Sequence, residues 1–155
     1  MGSYQDYALE SASAVDLVVA LYDGIIRFLY AASAATELGD QAGRRTAVKR
    51  ALDIIIHLQA RLRMDVGGKP AQALSEFYAS IFSEILQASQ SASLEKFDHA
   101  IECVRNVRDA WRQVAKDPDV NPAPLQAMAN GGDSGNRGFE DDYARESYGG
   151  SRWNA

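Results

Sequence analysis

A chain of 155 residues, 46% hydrophobic and 24% charged, is long enough for one domain with a substantial buried core. Its formal charge of −5 argues against a duplex nucleic-acid binder, which needs a basic footprint. The nearest approach to one is Arg44, Arg45, Lys49 and Arg50, read as a solvated helix entrance. Cys103 is alone, which excludes an internal disulfide and fits a reducing compartment. Its neighbours Ile101, Val104 and Val107 predict a buried small hydrophobe there rather than a nucleophile. The N-terminal Met-Gly-Ser-Tyr-Gln-Asp-Tyr lacks the charged and apolar regions of a secretory signal, and Gly2 lacks the myristoylation spacing. No apolar run is read as approaching the roughly 18 residues of a membrane span. The expectation is therefore a cytoplasmic protein without membrane insertion.

Tyr4 to Glu10 reads as a short separate segment at the start of the chain. A first helix is predicted from about Asp16 to Leu38, with Ser11, Ser13 and Asp16 as candidate caps and Gly39 as its stop. A second runs from about Arg44 to Met64 and ends at Gly67-Gly68. A third opens at Pro70, a favourable first-turn residue, and continues to about Ser89. The fourth runs from about Leu94 to Ala115, stopped by Asp117-Pro118. Short connections make consecutive helices antiparallel neighbours. The predicted fold is all-α: an antiparallel up-down four-helix bundle over residues 13–116, preceded by an N-terminal segment, 1–12. After Asp117, prolines and glycines replace hydrophobic periodicity, so residues 117–155 read as a disordered tail.

The chemistry-bearing patterns are weak. Asp53 with His57 and Glu95 with His99 have i,i+4 spacing, one helix face each. Di-iron bundles instead use Glu-x-x-His motifs pointing inward. His57 and His99 each lie two positions from a core position, Ile55 and Phe97, about 200° around the helix, so both are expected to face water. There is no phosphate loop, CxxC pair or nucleophile elbow; Gly67-Gly68-Lys69 lacks the preceding strand of a P-loop. The reading is a protein that is not an enzyme and has no cofactor and no metal site.

The informative feature is surplus apolar surface. Sixteen of the 23 positions from Asp16 to Leu38 are apolar, whereas a bundle helix needs about three in seven. Leu17, Leu21, Ile25, Phe28 and Ala32 form a predicted core stripe, leaving Val19, Ile26 and Tyr30 on another face. In the second helix Val48, Leu52, Ile55, Leu58 and Leu62 form the stripe, with Ile54 and Ile56 beyond its edges. The third offers Leu74, Tyr78, Ile81, Ile85 and Ala88, widened by Phe77, Phe82 and Leu86. The fourth is conventional: Leu94, Phe97, Ile101, Val104, Trp111 and Val114 inward, Lys96, Glu102, Arg105 and Asp109 outward. Part of the surplus can bury against itself; the remainder predicts apolar grooves that take a partner segment. A metal-binding bundle or a homo-oligomer that uses its grooves on itself are the competing readings.

Leu21-Tyr22-Asp23-Gly24-Ile25-Ile26 closely resembles the Leu-Tyr-Asp-Gly-Ala-Ile stretch of the flagellin-specific export chaperones, the FliS family. The likeness continues through Leu38-Gly39-Asp40, Lys49-Arg50-Ala51, Ile54-Ile55, Asp65 to Gly68, Ala71 with Leu74, Phe77-Tyr78, Leu86-Gln87-Ala88 and Asp109-Ala110-Trp111. Tyr4 and Tyr7 resemble the family's tyrosine-bearing N-terminal segment. Ser13-Ala14 departs from a frequent Ser-Pro, Pro70 and Ala73 from Ile and Asn, and Ala79-Ser80 from Asp-Tyr; the tail has no counterpart. The resemblance implies binding of the C-terminal segment of flagellin, protection from premature polymerisation, and delivery to the flagellar type III export gate. It implies a client groove at Leu21, Tyr22, Ile25, Ile26, Ala51, Ile54, Ile55, Leu58, Leu74, Phe77, Tyr78 and Ile81, with Tyr4 and Tyr7 as a lid. The protein is expected to be a monomer or weak homodimer.

Overall fold

The computed structural model describes residues 3–116, and side chains from Ala14 onward with Val66 and Ala115 excepted. The tail from 117 lies outside the described residues, and with it the expectation of disorder there. Four helices make up the described chain: α1 (Ser3–Glu37), α2 (Gln41–Ala60), α3 (Met64–Ser91) and α4 (Leu94–Lys116). Among the described residues there is no strand. Each helix packs on its neighbours in sequence, and α4 closes the ring against α1. This is the up-down bundle that the short connections predict.

The N-terminal segment is the first departure. The expected separate piece at Tyr4 to Glu10 is continuous with α1, which runs unbroken for 35 residues from Ser3. The physical reason is local: Ala14 stands where a proline would interrupt the helix, and no glycine lies between Ser3 and Ala14. The candidate caps Ser11, Ser13 and Asp16 are therefore interior helix positions. A second correction concerns length. Ala14–Glu37, 24 residues that hold an 18-residue stretch of mean hydropathy 1.5, is long and apolar enough to cross a membrane by length and composition, contrary to the sequence-based expectation. Its valines, leucines and isoleucines raise the average, while Asp16, Asp23 and Arg27 interrupt the run. In the bundle, the Val15, Val18, Ile25 and Leu29 face is buried in the shared core.

α1 closes through paired bonds in which the Asp40 amide donates to Ala35 O at 2.8 Å and the Gly39 amide to Thr36 O at 3.1 Å. Gly39 takes φ +70°, which costs glycine nothing. Asp40 then caps α2, its Oδ1 accepting from the Gly43 amide at 2.9 Å. α3 ends with the same device: Ser93 donates to Ala88 O at 3.0 Å and Ala92 to Ser89 O at 3.3 Å. Here the left-handed residue is Ala92, φ +50°, where a Cβ is strained. Ser93 Oγ accepts from the Lys96 amide at 3.2 Å and opens α4. The second and third helices have shifted bounds: α2 stops at Ala60, and α3 begins with a turn at Met64 that kinks at Gly68 before its main run. Pro70 opens that main run, as expected.

The core is drawn from all four helices: Tyr22, Ile25 and Leu29; Ala51, Ile55 and Leu58; Tyr78, Ile81 and Ile85; Phe97, Ile101, Val104 and Trp111. The stripes of α2 and α3 lie as predicted except that Leu52 and Leu74 are half-buried. In α4 the outward residues are exposed as expected, but Leu94 is exposed and Val114 half-buried. The α1 stripe is rotated. Its core residues are Val15, Val18, Tyr22, Ile25, Leu29 and Ala32, while Leu17 is exposed and Leu21 and Phe28 are half-buried. The reason is that α1 has two close neighbours. Gly24 lies against Ile54 and Phe28 against Arg50, so the Leu17–Leu21–Gly24–Phe28 stripe faces α2. Asp23 and Tyr30 face α4.

Candidate functional site

Three of the polar clusters among the described residues join helices to one another. In the core, the Tyr22 hydroxyl lies 2.6 Å from that of Tyr78 and accepts from Trp111 Nε1 at 3.1 Å. Burial pushes the Tyr22 phenol up to about 12, offset in part by its bonds to Tyr78 and Trp111. Burial raises the Tyr78 phenol still further, with the adjacent Tyr22 adding to it. Neutral phenols at these positions join α1, α3 and α4 through one satisfied network.

Along the α1–α4 side, Arg108 pairs with Asp23 at 2.8 Å, Arg112 approaches Asp23 at 3.5 Å, and Arg105 donates to the Tyr30 hydroxyl. On the α3–α4 side, His99 contacts Glu84, and Cys103 lies 3.7 Å from His99 Nε2. Cys103 is half-buried rather than buried, because its position turns it toward α3 at the bundle's edge. Burial nevertheless raises its thiol pKa, aided by the charges of Glu84 and Glu102, which disfavours the nucleophilic thiolate. His99 is exposed and His57 half-buried.

The α2–α3 side differs. Gln59 Nε2 donates to Ser75 Oγ at 2.8 Å and links the two helices at one level. Gln59, Ile56, Leu52, Lys49 and Arg45 recur on α2 at helical spacing and so share one edge. Ser75, Ala79, Phe82 and Leu86 do the same on α3. Ile56 is 45% and Leu86 37% exposed, with Leu52 and Phe82 half-buried between them. The result is an apolar seam about 12 Å long from the level of Ile56 to that of Leu86, counted from Gln59 and Ser75 at 1.5 Å per residue. Arg45 and Lys49 continue it, both exposed and without an ion pair among the described residues.

The twelve groove residues expected from sequence are gathered in and around the core rather than along an open groove. Tyr22, Ile25, Ile26, Ala51, Ile55, Leu58, Tyr78 and Ile81 are buried, so a partner cannot reach them while the bundle is closed. Leu21 and Ile54 are half-buried on the α1–α2 flank. Leu74 and Phe77 are half-buried on α3, Phe77 sharing an i,i+7 face with Glu84 toward α4. The residues lining the seam were visible in sequence only as surplus: Ile56, Phe82 and Leu86 flank the core stripes, and Leu52 was assigned inward. Of Tyr4 and Tyr7, the structure places only the backbone, in the first turns of α1.

Four packed helices around an apolar core, with an exposed apolar seam between α2 and α3, define a small helical-bundle protein. Residues 1–118 match the family described as flagellar protein FliS, and the chain belongs to that family, which is not enzymatic. It is 33% identical over 109 residues to the flagellar secretion chaperone FliS of Vibrio cholerae, covering 70% of this chain and 80% of that one. The Salmonella typhimurium chaperone is 31% identical over 109 residues, 70% and 81% of the two chains. That of Campylobacter jejuni is 29% identical over 121 residues, 76% and 94%.

Proposed function

We propose that this member of the flagellar secretion chaperones binds the apolar C-terminal segment of flagellin along the α2–α3 seam. The observation that carries the siting is the Leu52, Ile56, Phe82 and Leu86 surface, in which Ile56 is 45% and Leu86 37% exposed and Leu52 and Phe82 are half-buried between them. An amphipathic segment laid there buries apolar area on both partners, the main favourable term in helix-in-groove recognition. Holding that segment blocks polymerisation of flagellin in the cytoplasm, and the complex is then handed to the export gate. The chaperone works as a monomer or weak homodimer.

Leu21 and Ile54 on the α1–α2 flank, with Leu74 and Phe77 on α3, extend the contact where the client is long enough. Residues 1–12 act as a lid in this reading, Tyr4 and Tyr7 covering apolar surface with wet hydroxyls. Since α1 is continuous from Ser3, the lid acts by fraying of its first turns. Deleting residues 1–10 then leaves the bundle folded and tightens client binding; unchanged affinity removes the lid.

Calorimetric titration with a flagellin C-terminal peptide tests the central reading. Binding with a negative heat-capacity change is expected, weakened about tenfold or more by I56S with L86S. A peptide that binds both proteins equally moves the site elsewhere, and a flat titration removes the function.

A further inference from the structure

The seam has one feature that an apolar client does not require: its α2 edge passes from Ile56 and Leu52 directly into Lys49 and Arg45. These two cations recur at the same helical spacing and face the same side. Both are exposed and neither forms an ion pair among the described residues. Along α2 the surface therefore passes from apolar to cationic, Lys49 lying about 10 Å and Arg45 about 17 Å from Ile56 by helical rise. A segment that fits it has aromatic or aliphatic anchors beside a block of carboxylates.

This chain contains such a segment. Phe139-Glu140-Asp141-Asp142-Tyr143-Ala144-Arg145-Glu146 places two aromatics four residues apart, with four carboxylates among and after them. From Asp117 to Ala155 the chain holds seven acidic and three basic residues, and four of the seven acids fall within these eight positions. The segment is also within reach. Trp111 bonds to Tyr22, which bonds to Tyr78, so these three residues lie at one level of the bundle. Lys116 is five residues further along α4, which by helical rise is about 7 Å toward the Ser75 end of the seam. Residues 117–138 are 22 in number and span up to about 70 Å when extended, several times the distance required.

We propose that residues 139–146 dock in cis on the α2–α3 seam, Phe139 and Tyr143 on Ile56, Phe82 and Leu86, and the carboxylates on Lys49 and Arg45. The tail thereby covers the seam when no client is present. Its role as a competitor of flagellin rests on the siting given under the proposed function; the docking itself does not.

The chain has four lysines, Lys49, Lys69, Lys96 and Lys116, so carbodiimide coupling of lysine to carboxylate, read by mass spectrometry on the full-length protein, is a sharp test. Lys49 is expected to couple to Glu140, Asp141 or Asp142 in preference to the other three, with a yield independent of protein concentration. The double substitution F139S with Y143S keeps every reacting group yet removes the anchors, and should lower that yield about tenfold. Coupling spread evenly over the four lysines, or unchanged in the double variant, overturns the docking. Coupling between isotopically distinct chains assigns the seam to a second copy and also overturns it. Adding flagellin C-terminal peptide should abolish the Lys49 product. If the peptide binds and the product persists, the docking stands and the siting of flagellin on the seam fails.

Discussion

The two sides of the bundle, α1–α4 and α2–α3, are made from the same helix type and close in opposite ways. Along α1–α4, Trp111 donates to buried Tyr22, Arg108 and Arg112 reach Asp23, and Arg105 reaches Tyr30. Along α2–α3, Gln59 and Ser75 hold one end, and Ile56 and Leu86 stand open beyond it. Directional bonds fix geometry and leave little to offer a partner. Uncovered apolar area is non-directional and accepts any chain of suitable pattern. The difference separates the side that holds the fold from the side available for holding something else.

The largest expected effect is on the locked side. Y22F removes the hydroxyl that Trp111 and Tyr78 both use and leaves buried polar atoms short of partners, a cost of about 1–3 kcal/mol by urea denaturation. The same network sets an alkaline limit. The folded Tyr22 phenol titrates near 12 against 10.0 when unfolded, so the folded state keeps its proton longer. Its contribution is full below pH 10 and is lost as pH rises from 10 toward 12, and Y22F should reduce that slope.

Next, D23A leaves Arg108 and Arg112 without their shared carboxylate. A loss of about 1 kcal/mol is expected at low ionic strength, shrinking in about 0.5 M salt. A wild-type and variant pair with the same salt response would mean that the charges do not matter. Smaller, and opposite in sign, is A92G in the α3–α4 turn, expected to raise stability by about 0.5–1 kcal/mol by relieving the left-handed alanine. The smallest stability effect belongs to the open side. I56S and L86S should each change unfolding by about 0.5 kcal/mol or less while weakening flagellin binding. A large stability loss there would show that the seam is core rather than docking surface.

Much of this was legible in the chain. Gly39, Pro70 and the stripes through Ile55, Leu58, Ile81 and Val104 mark helices and their inward faces by spacing alone, and the landmarks from Leu21 to Trp111 mark the family. Tyr22 and Tyr78 show the limit. The family resemblance puts both in the client groove, and spacing puts Tyr78 in an inward stripe as well; the structure buries both, each hydroxyl finding its partner on another helix. Leu17 and Phe28 show the converse: large aliphatic and aromatic residues at core spacing, displaced to a flank because α1 must serve both α2 and α4.

Sequence periodicity by itself determined four helices, their order and the surplus of apolar residues, since these depend on local spacing and on short connections. Only the tertiary structure decided which apolar residues were left over. That choice depends on the rotation of each helix about its axis, which is set by contacts such as Gly24 with Ile54 and Tyr22 with Trp111, between residues far apart in the chain.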